Sequence, residues 1–207
     1  SAADKKVTWP GNEIGRGAAY LTVMALQEVN RPGEESFWRN FSSSKKIAWK
    51  TGTSFGLRDA WAVGVTPEYT IAVWAGNANG VGVAGLSGTQ TAAPLLFNLF
   101  NYLPETTWFT PPLNALAEIA TCGDDGYLPN QGCATINVQI PKHSHFEKIS
   151  PYHRLIHTDP LQQWQVNNQC FDSAKMRSSS WLLLPAAWEY FYRRHHPDYR
   201  RLPKWKK

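Results

Sequence analysis

The spacing of apolar residues predicts a helix and three strands in the first part of the chain. Residues 15–29 are apolar on nearly every side of a helical projection, so we expect a buried helix that ends at residues 30–33, Asn-Arg-Pro-Gly. Three runs rich in β-branched and aromatic residues follow at 46–53, 60–66 and 69–75. Their short connections predict an antiparallel meander. The weak alternation of the middle run predicts a strand covered on both faces.

A second helix should begin at residues 91–94, Thr-Ala-Ala-Pro, because proline is tolerated in the first turn of a helix. Its apolar residues recur at helical spacing and predict a single stripe that packs on the sheet. The stripe consists of Leu95, Leu96, Leu99, Phe100 and Leu103. The Gly-rich residues 76–90, between the sheet and this helix, either border a substrate groove or form a plain connection between the two elements. These elements predict an α+β fold, an antiparallel sheet with packing helices.

The composition changes at Pro104, and Pro111-Pro112 has the character of a linker. We therefore expect one domain over residues 1–107 and a C-terminal extension over residues 108–207. The extension should be small, mixed and strand-containing.

Within the extension we predict a loop bracketed by cysteines, a strand at 135–140, a hairpin near Asp159-Pro160 and a helix near 185–195. One face of that helix should carry Leu184, Trp188, Phe191 and Tyr192.

The three cysteines all lie in this second half. Cys122 and Cys133 bracket a segment rich in turn-forming residues, and a disulfide closing that loop is plausible in an oxidising compartment. Cys170 is then left free or pairs elsewhere. Zinc is the alternative, since His143 and His145 follow closely. The sequence has no Cys-x-x-Cys pair, which structural zinc sites usually show, so we expect no metal.

Composition and charge exclude several classes of protein. Hydrophobic residues make up 43% of the chain and charged residues 18%, which indicates a globular body. No apolar run approaches the roughly 20 residues of a membrane span, and the first residues do not resemble a signal peptide. Residues 193–207 carry a net charge of +6 and the rest of the chain about −1, so no general nucleic-acid-binding surface is expected.

The motif Lys50-Thr51-Gly52-Thr53-Ser54 combines residue types that suit acyl transfer at a strand end. A lysine beside a serine nucleophile can pass protons, and threonine hydroxyls can hold a carboxylate. Glycine lets an extended substrate pair with the strand, and a backbone N–H just after it can point at a developing oxyanion. The motif therefore predicts one wall of a serine acyl-transfer site.

The residues around this motif make the resemblance more specific. The run 50–54, with Arg-Asp-Ala-Trp-Ala-Val-Gly at 58–64 and Val-Trp-Ala-Gly-Asn at 73–77, resembles the C-terminal part of the transpeptidase domain in class A bifunctional penicillin-binding proteins. The second half resembles the segment that follows that domain in one member of the family. This second likeness rests on Cys122, Cys133, Ser150-Pro151-Tyr152-His153, Cys170, Leu184-Pro185 and His196-Pro197-Asp198-Tyr199.

The resemblance implies a fold, an activity and roles for residues. The fold would be the C-terminal part of a penicillin-binding, serine β-lactamase-like domain. The activity would be acyl-serine cross-linking of D-Ala-D-Ala stem peptides in peptidoglycan, by a bifunctional glycosyltransferase and transpeptidase without a cofactor. Lys50 and Thr53 would be catalytic, and Thr51, Gly52 and Thr53 would bind substrate.

The resemblance also implies partners and a location. The partners would be the N-terminal portion of the same protein, peptidoglycan stem peptides, β-lactams and cell-wall assembly proteins, with no nucleic acid. The location would be the periplasm, with an inner-membrane anchor on a segment outside this chain.

The family also requires an upstream Ser-x-x-Lys nucleophile motif and a Ser-x-Asn motif. Ser42-Ser43-Ser44-Lys45 matches the first pattern in its residue types, but it lies too close to Lys50 to be the nucleophile motif. Only residues 46–49 separate the two, and those residues belong to the first strand. No Ser-x-Asn precedes the motif. We therefore expect the chain by itself to be inactive. The alternative function is a non-catalytic binding or assembly module of cell-wall synthesis.

Other conspicuous residues are expected to serve packing. Trp49, Trp61 and Trp74 should pack in or on the sheet rather than stack on carbohydrate. The Arg58-Asp59 pair should be structural. The histidines show no His–carboxylate–nucleophile set, so we expect surface or packing roles for His153, His157, His195 and His196.

Overall fold

The computed structural model describes residues 14–33, 36–37 and 44–206. The chain divides into two compact units, one ending at Leu116 and the next beginning at Ala117. Helices and antiparallel sheets are both present, which confirms the predicted α+β class. The described residues form no helix with the length and apolarity needed to cross a membrane. The domain boundary at 107/108 stays a prediction.

The first helix, α1, spans Arg16–Gln27 and confirms the predicted element. The prediction that it is buried on nearly every side is wrong, since Gly17 and Gln27 are its buried residues. A Cβ on Gly17 would collide with the carbonyl oxygen of Ala115, so glycine permits the close approach of the helix at that point.

The predicted meander is confirmed as a three-stranded antiparallel sheet in the order β1-β2-β3. Its strands are β1 (Ala48–Thr53), β2 (Asp59–Val65) and β3 (Thr70–Gly76). The prediction that β2 is covered on both faces is wrong. Its burial alternates, because a helix covers only the face of Ala60 and Ala62, while the described residues leave Trp61 and Val63 exposed on the other face.

The second helix, α2, spans Ala93–Tyr102 and follows a wide helical turn at Gly88–Ala92. The predicted stripe is confirmed at Leu96, Phe100 and Leu103, which lie in or against the core, and is wrong at the half-exposed Leu95 and Leu99, while Phe97 is buried in addition. The physical reason is aromatic packing. The Phe97 ring meets the buried Trp49 ring edge-on, with centroids 5.0 Å apart, and sets the rotation of the helix.

The second unit contains two small sheets and one helix. A two-stranded sheet pairs β4 (Leu116–Cys122) with β5 (Thr135–Pro141). A four-stranded sheet has the order β8-β6-β7-β9. Its strands are β6 (His153–Thr158), β7 (Trp164–Gln165), β8 (Arg177–Leu182) and β9 (Lys204–Trp205). The helix α3 spans Ala186–His195. The predicted strand at 135–140, the hairpin near Asp159-Pro160 and the late helix are all confirmed.

A disulfide joins Cys122 and Cys133 and closes the loop between β4 and β5, as predicted. Cys170 is exposed and free. Ligand atoms of Cys122, Cys133 and His153 lie within 4.8 Å of one another. The two sulfurs are bonded to each other, however, and a cysteine binds zinc as a thiolate, so the disulfide leaves neither sulfur as a ligand.

Candidate functional site

The Lys-Thr-Gly motif lies on an edge strand whose outer side is open in the described part of the chain. β2 is the one neighbour of β1 in the sheet, with Gly52 opposite Trp61 and Thr53 opposite Ala60. The Ser54 N–H donates to the Asp59 carbonyl at 2.9 Å, which makes that pair a hydrogen-bonded one. Because bonded and non-bonded pairs alternate, the backbone N–H and C=O of Thr53 turn away from β2, toward the open edge.

Lys50 places its amine at the same edge. It lies opposite Val63, on the sheet face that α2 does not cover. Its Nζ donates to the Thr51 carbonyl at 2.7 Å. By the same alternation, that carbonyl faces outward along the edge. A positive charge and an outward N–H thus lie side by side where an added strand would pair.

The side chains of Thr51 and Thr53 contact the wide turn that precedes α2. The Thr53 hydroxyl accepts a hydrogen bond from the Gly88 N–H at 3.0 Å, and the hydroxyls of Thr51 and Thr89 lie 3.4 Å apart. A Cβ on Gly88 would lie 2.6 Å from the Trp61 carbonyl oxygen. The end of the Gly-rich loop therefore borders the motif and fixes the orientation of its threonines.

Gly52 is free of such crowding. The nearest atom to a Cβ placed there would be the Trp61 Cβ at 4.0 Å, and the residue is exposed. Local packing therefore does not require glycine here. Its small size leaves room on the open side of β1 for a chain that pairs with this strand.

The residues that follow the motif hold the turn between β1 and β2. The Ser54 Oγ accepts from the Asp59 N–H at 2.8 Å, and Asp59 Oδ1 accepts from the Trp74 indole at 3.0 Å. Asp59 thus fixes the half-exposed Trp74 on the sheet, a structural role of the kind expected for the Arg58-Asp59 pair.

Lys45, the lysine of the Ser-x-x-Lys pattern at residues 42–45, caps the C-terminal end of α2. Its amine donates to the carbonyl oxygens of Phe100, at 2.7 Å, and Leu103. A cation is stabilising at the C-terminal end of a helix, where carbonyl groups lack partners. Ser42 lies outside the described residues. The Lys45 amine is engaged in capping α2 and is not available to activate a serine.

A second cluster joins residues that the sequence does not place together. Ser150 Oγ donates to Asp125 Oδ2 at 2.5 Å and lies 2.9 Å from His153 Nδ1. His153 Nε2 lies 3.1 Å from Asp124 Oδ2. The prediction of no His–carboxylate–nucleophile set is therefore wrong as a statement about proximity. Ser150-x-x-His153 is the local signal, but the aspartates come from the disulfide-closed loop.

The geometry of this cluster does not suit nucleophilic catalysis. The Ser150 hydroxyl has a single proton and donates it to Asp125 Oδ2, so that proton does not point at the imidazole. The backbone N–H groups of Tyr152 and His153 both donate to the Ser150 Oγ, each at 3.3 Å. Ser150 and His153 are buried. The cluster is a satisfied network that positions Asp124 and Asp125.

Comparisons with known proteins find relatives for part of the chain. No family model matches. Penicillin-binding protein 1C of Escherichia coli K12 is 51% identical over 90 residues, which cover 44% of this chain and 11% of that protein. Penicillin-binding protein 1B of Buchnera aphidicola is 36% identical over 66 residues, 32% of this chain and 9% of that protein.

Among solved structures, penicillin-binding protein 1A of Haemophilus influenzae aligns with a TM-score of 0.41 and 19% identity, over 65% of this chain and 20% of that one. The chain thus spans about a tenth of the length of the curated relatives that it matches. These sequence similarities confirm the resemblance that the motif predicted, over less than half of the chain. In that stretch, the chain is homologous to penicillin-binding proteins.

Proposed function

We propose that residues 48–76 form one wall of the peptide-binding groove of a serine D,D-transpeptidase that cross-links peptidoglycan. The observation that carries the proposal is the open edge of β1, where Lys50, Gly52 and the outward backbone of Thr53 coincide. The 51% identity to a penicillin-binding protein supports the same function.

In this proposal the stem peptide binds as an added strand along β1. Its backbone pairs with the outward groups of the motif, and Gly52 gives it room. The hydroxyls of Thr51 and Thr53 hold the terminal carboxylate of the peptide. The Thr53 N–H then lies beside the carbonyl under attack, where a donor for the developing oxyanion is worth about 3–4 kcal/mol.

The nucleophile comes from a portion of the protein upstream of this chain. A serine Oγ attacks the carbonyl carbon of the penultimate D-alanine, the peptide C–N bond breaks, and the leaving D-alanine takes a proton on its nitrogen. An amine of a second stem peptide then attacks the ester and releases the serine. Lys50 supplies positive potential and helps to move the proton.

The wider setting follows from the same relatives. The complete protein would carry a glycosyltransferase domain and an inner-membrane anchor, and it would work in the periplasm. β-Lactams would acylate the same serine. The disulfide between Cys122 and Cys133 supports an oxidising compartment of this kind.

Labelling with a fluorescent penicillin tests the proposal. The protein extended by its upstream portion should label, and Lys50→Ala should slow labelling by about 100-fold because proton transfer and positive potential are lost. Lys46→Ala is the matched control, because Lys46 is exposed just before the same strand and should label normally.

The isolated 207-residue chain should not label at all. Failure of the extended protein to label, or equal labelling of Lys50→Ala and the unaltered protein, would show that the transpeptidase proposal is wrong.

A non-catalytic binding or assembly module is the second candidate function. The observation that favours it is an exposed aromatic cleft in the second unit, which the transpeptidase chemistry does not use.

A further inference from the structure

The second unit contains a cleft between α3 and the disulfide-closed loop. Its volume is about 680 Å³, within the range of small-molecule sites. Five aromatic side chains line it: Tyr127, Tyr152, Trp188, Phe191 and Tyr192. They come from three separate segments of the chain, so the fold and not a local sequence pattern brings them together.

Three of these rings, those of Tyr127, Tyr152 and Trp188, form a continuous wall. The Tyr152 ring lies 6.1 Å from that of Tyr127 and 5.7 Å from that of Trp188, centroid to centroid. Trp188 is nevertheless 56% exposed, and Phe191 is also exposed. Large aromatic side chains grouped at one exposed place commonly mark a binding surface.

A fixed carboxylate stands at the edge of this wall. The side chain of Asp124 is 49% exposed, yet its Oδ2 is held by His153. Asp125 is already engaged by Ser150 and by the Tyr127 N–H at 3.0 Å. The buried network therefore presents one oriented acceptor, Asp124, to the cleft.

A second, polar cleft of about 570 Å³ adjoins the first. The two share Asp124, Tyr192 and His196. Ser180 lines the second cleft, and its hydroxyl is buried without a hydrogen-bond partner among the described residues. Burial raises the pKa of Tyr192, and the carboxylates of Asp124 and Asp198 raise it further, so the Tyr192 phenol keeps its proton as a donor.

The charges around the clefts argue against an ionic ligand. Asp124 and Asp198 oppose a polyanion, and Arg200 opposes a polycation. Neutral sugars suit the arrangement. A pyranose ring offers an apolar C–H face for stacking and hydroxyls for Asp124 and Tyr192.

We infer that these adjoining clefts bind a neutral glycan strand, and that β-1,4-linked N-acetylhexosamine units are its chemical class. The aromatic cleft takes the C–H faces and acetyl methyl groups, and the polar cleft takes the hydroxyls of the next unit. The class of sugar rests on the proposed function in peptidoglycan, whereas glycan binding itself rests on the clefts alone.

Calorimetric titration of the 207-residue chain with chitotetraose tests the inference. Saturable binding is expected, and Trp188→Ala should weaken it by about ten-fold or more because the stacking surface is lost. Trp188→Phe should recover part of the loss. The matched control is Trp205→Ala, because Trp205 is 57% exposed and lies in neither cleft.

Two further probes decide the chemistry of the ligand. Cellotetraose lacks the acetamido groups and should bind more weakly, while a trilysine peptide should not bind. Asp124→Asn should weaken chitotetraose binding moderately, because the amide keeps only one acceptor oxygen.

No binding of chitotetraose at about 1 mM, equal loss in Trp188→Ala and Trp205→Ala, or preference for trilysine would each overturn the inference. Lys50→Ala should leave glycan binding unchanged, because Lys50 is in neither cleft. Failure of penicillin labelling would therefore contradict the transpeptidase proposal, and failure of the glycan titration would contradict the glycan inference.

Discussion

Two groups of polar residues in this protein differ in whether their hydrogen bonds are complete. The motif on β1 is contiguous in sequence, and no described residue occupies the outward N–H of Thr53 or the space at Gly52. The cluster of Ser150, His153, Asp124 and Asp125 is assembled from distant segments, is mostly buried and satisfies its members internally. The first arrangement suits reaction with a substrate, and the second suits positioning.

The contrast shows that residue types alone do not identify a catalytic site. Ser150, His153 and Asp124 are residue types found in nucleophilic sites. The Ser150 hydroxyl nevertheless donates its proton to Asp125, and Ser150 is buried away from water. Within the part of the chain that the structure describes, the Lys50 amine donates only to the neighbouring Thr51 carbonyl, beside the open edge of β1. An unsatisfied, accessible group is the better indicator of chemistry.

The largest expected effect comes from removing the centre of the satisfied cluster. His153→Ala leaves Asp124 without its imidazole partner and removes one partner each from Ser150 and Asp125, and should reduce the free energy of unfolding by about 2–4 kcal/mol. His157→Ala on the same strand is the control, since His157 is exposed. Lys50→Ala should change stability by less than about 0.5 kcal/mol. Urea unfolding measures all three, and equal effects of His153→Ala and Lys50→Ala would remove the contrast.

The disulfide should have the next largest effect, because it holds the loop that carries both aspartates. It joins residues separated by 11 positions. Replacing Cys122 and Cys133 with alanine should destabilise the protein by about 2–3 kcal/mol. Cys170→Ala, at the exposed free cysteine, is the control. Thermal unfolding with and without reductant gives the values, and an unchanged midpoint in the double variant would contradict the role of the bridge.

Two glycines beside the motif separate folding from function. Gly88→Ala should destabilise the protein by about 1–3 kcal/mol, because its Cβ would lie 2.6 Å from the Trp61 carbonyl oxygen. Gly52→Ala should cost less than about 0.5 kcal/mol, because its Cβ meets nothing closer than 4.0 Å. In the extended protein, however, Gly52→Ala should slow penicillin labelling. Normal labelling by that variant would count against strand addition at β1.

The smallest expected effect concerns acid stability of the first unit. The Thr107 hydroxyl donates to Glu68 at 2.5 Å and lowers the pKa of this exposed carboxyl below its ordinary value of 4.5. Stability from a lowered pKa is present above the ordinary value and is lost as pH falls through the folded-state pKa. Glu68→Gln should therefore slightly flatten the loss of thermal stability below pH 4.5. An unchanged pH profile in this variant would contradict the role of the Thr107 hydrogen bond.

Local patterns predicted the elements, because apolar spacing and turn residues act within a few positions. α1, the meander of β1 to β3 and α3 all lie where the patterns indicated. The rotation of α2 was not predictable in this way. It depends on Phe97 meeting Trp49, a contact between residues far apart in sequence.

The same limit applies to the sites. The Lys50 motif was recognisable because its members are consecutive. The network around His153 was missed because the disulfide-closed loop brings Asp124 and Asp125 to it across the unit. The helical part of the aromatic cleft was predictable, because Trp188, Phe191 and Tyr192 were expected on one face of α3. Tyr127 and Tyr152 lie elsewhere in the sequence, and only the fold brings them to the same cleft.

The central claim is that this chain supplies a wall of the acylation site and not its nucleophile. Mass spectrometry of the extended protein, after reaction with penicillin and digestion, tests this claim most directly. The account predicts one penicilloyl adduct on a serine upstream of Ser1, and none on the serines of this chain. An adduct on Ser44, Ser54 or Ser150 would contradict it.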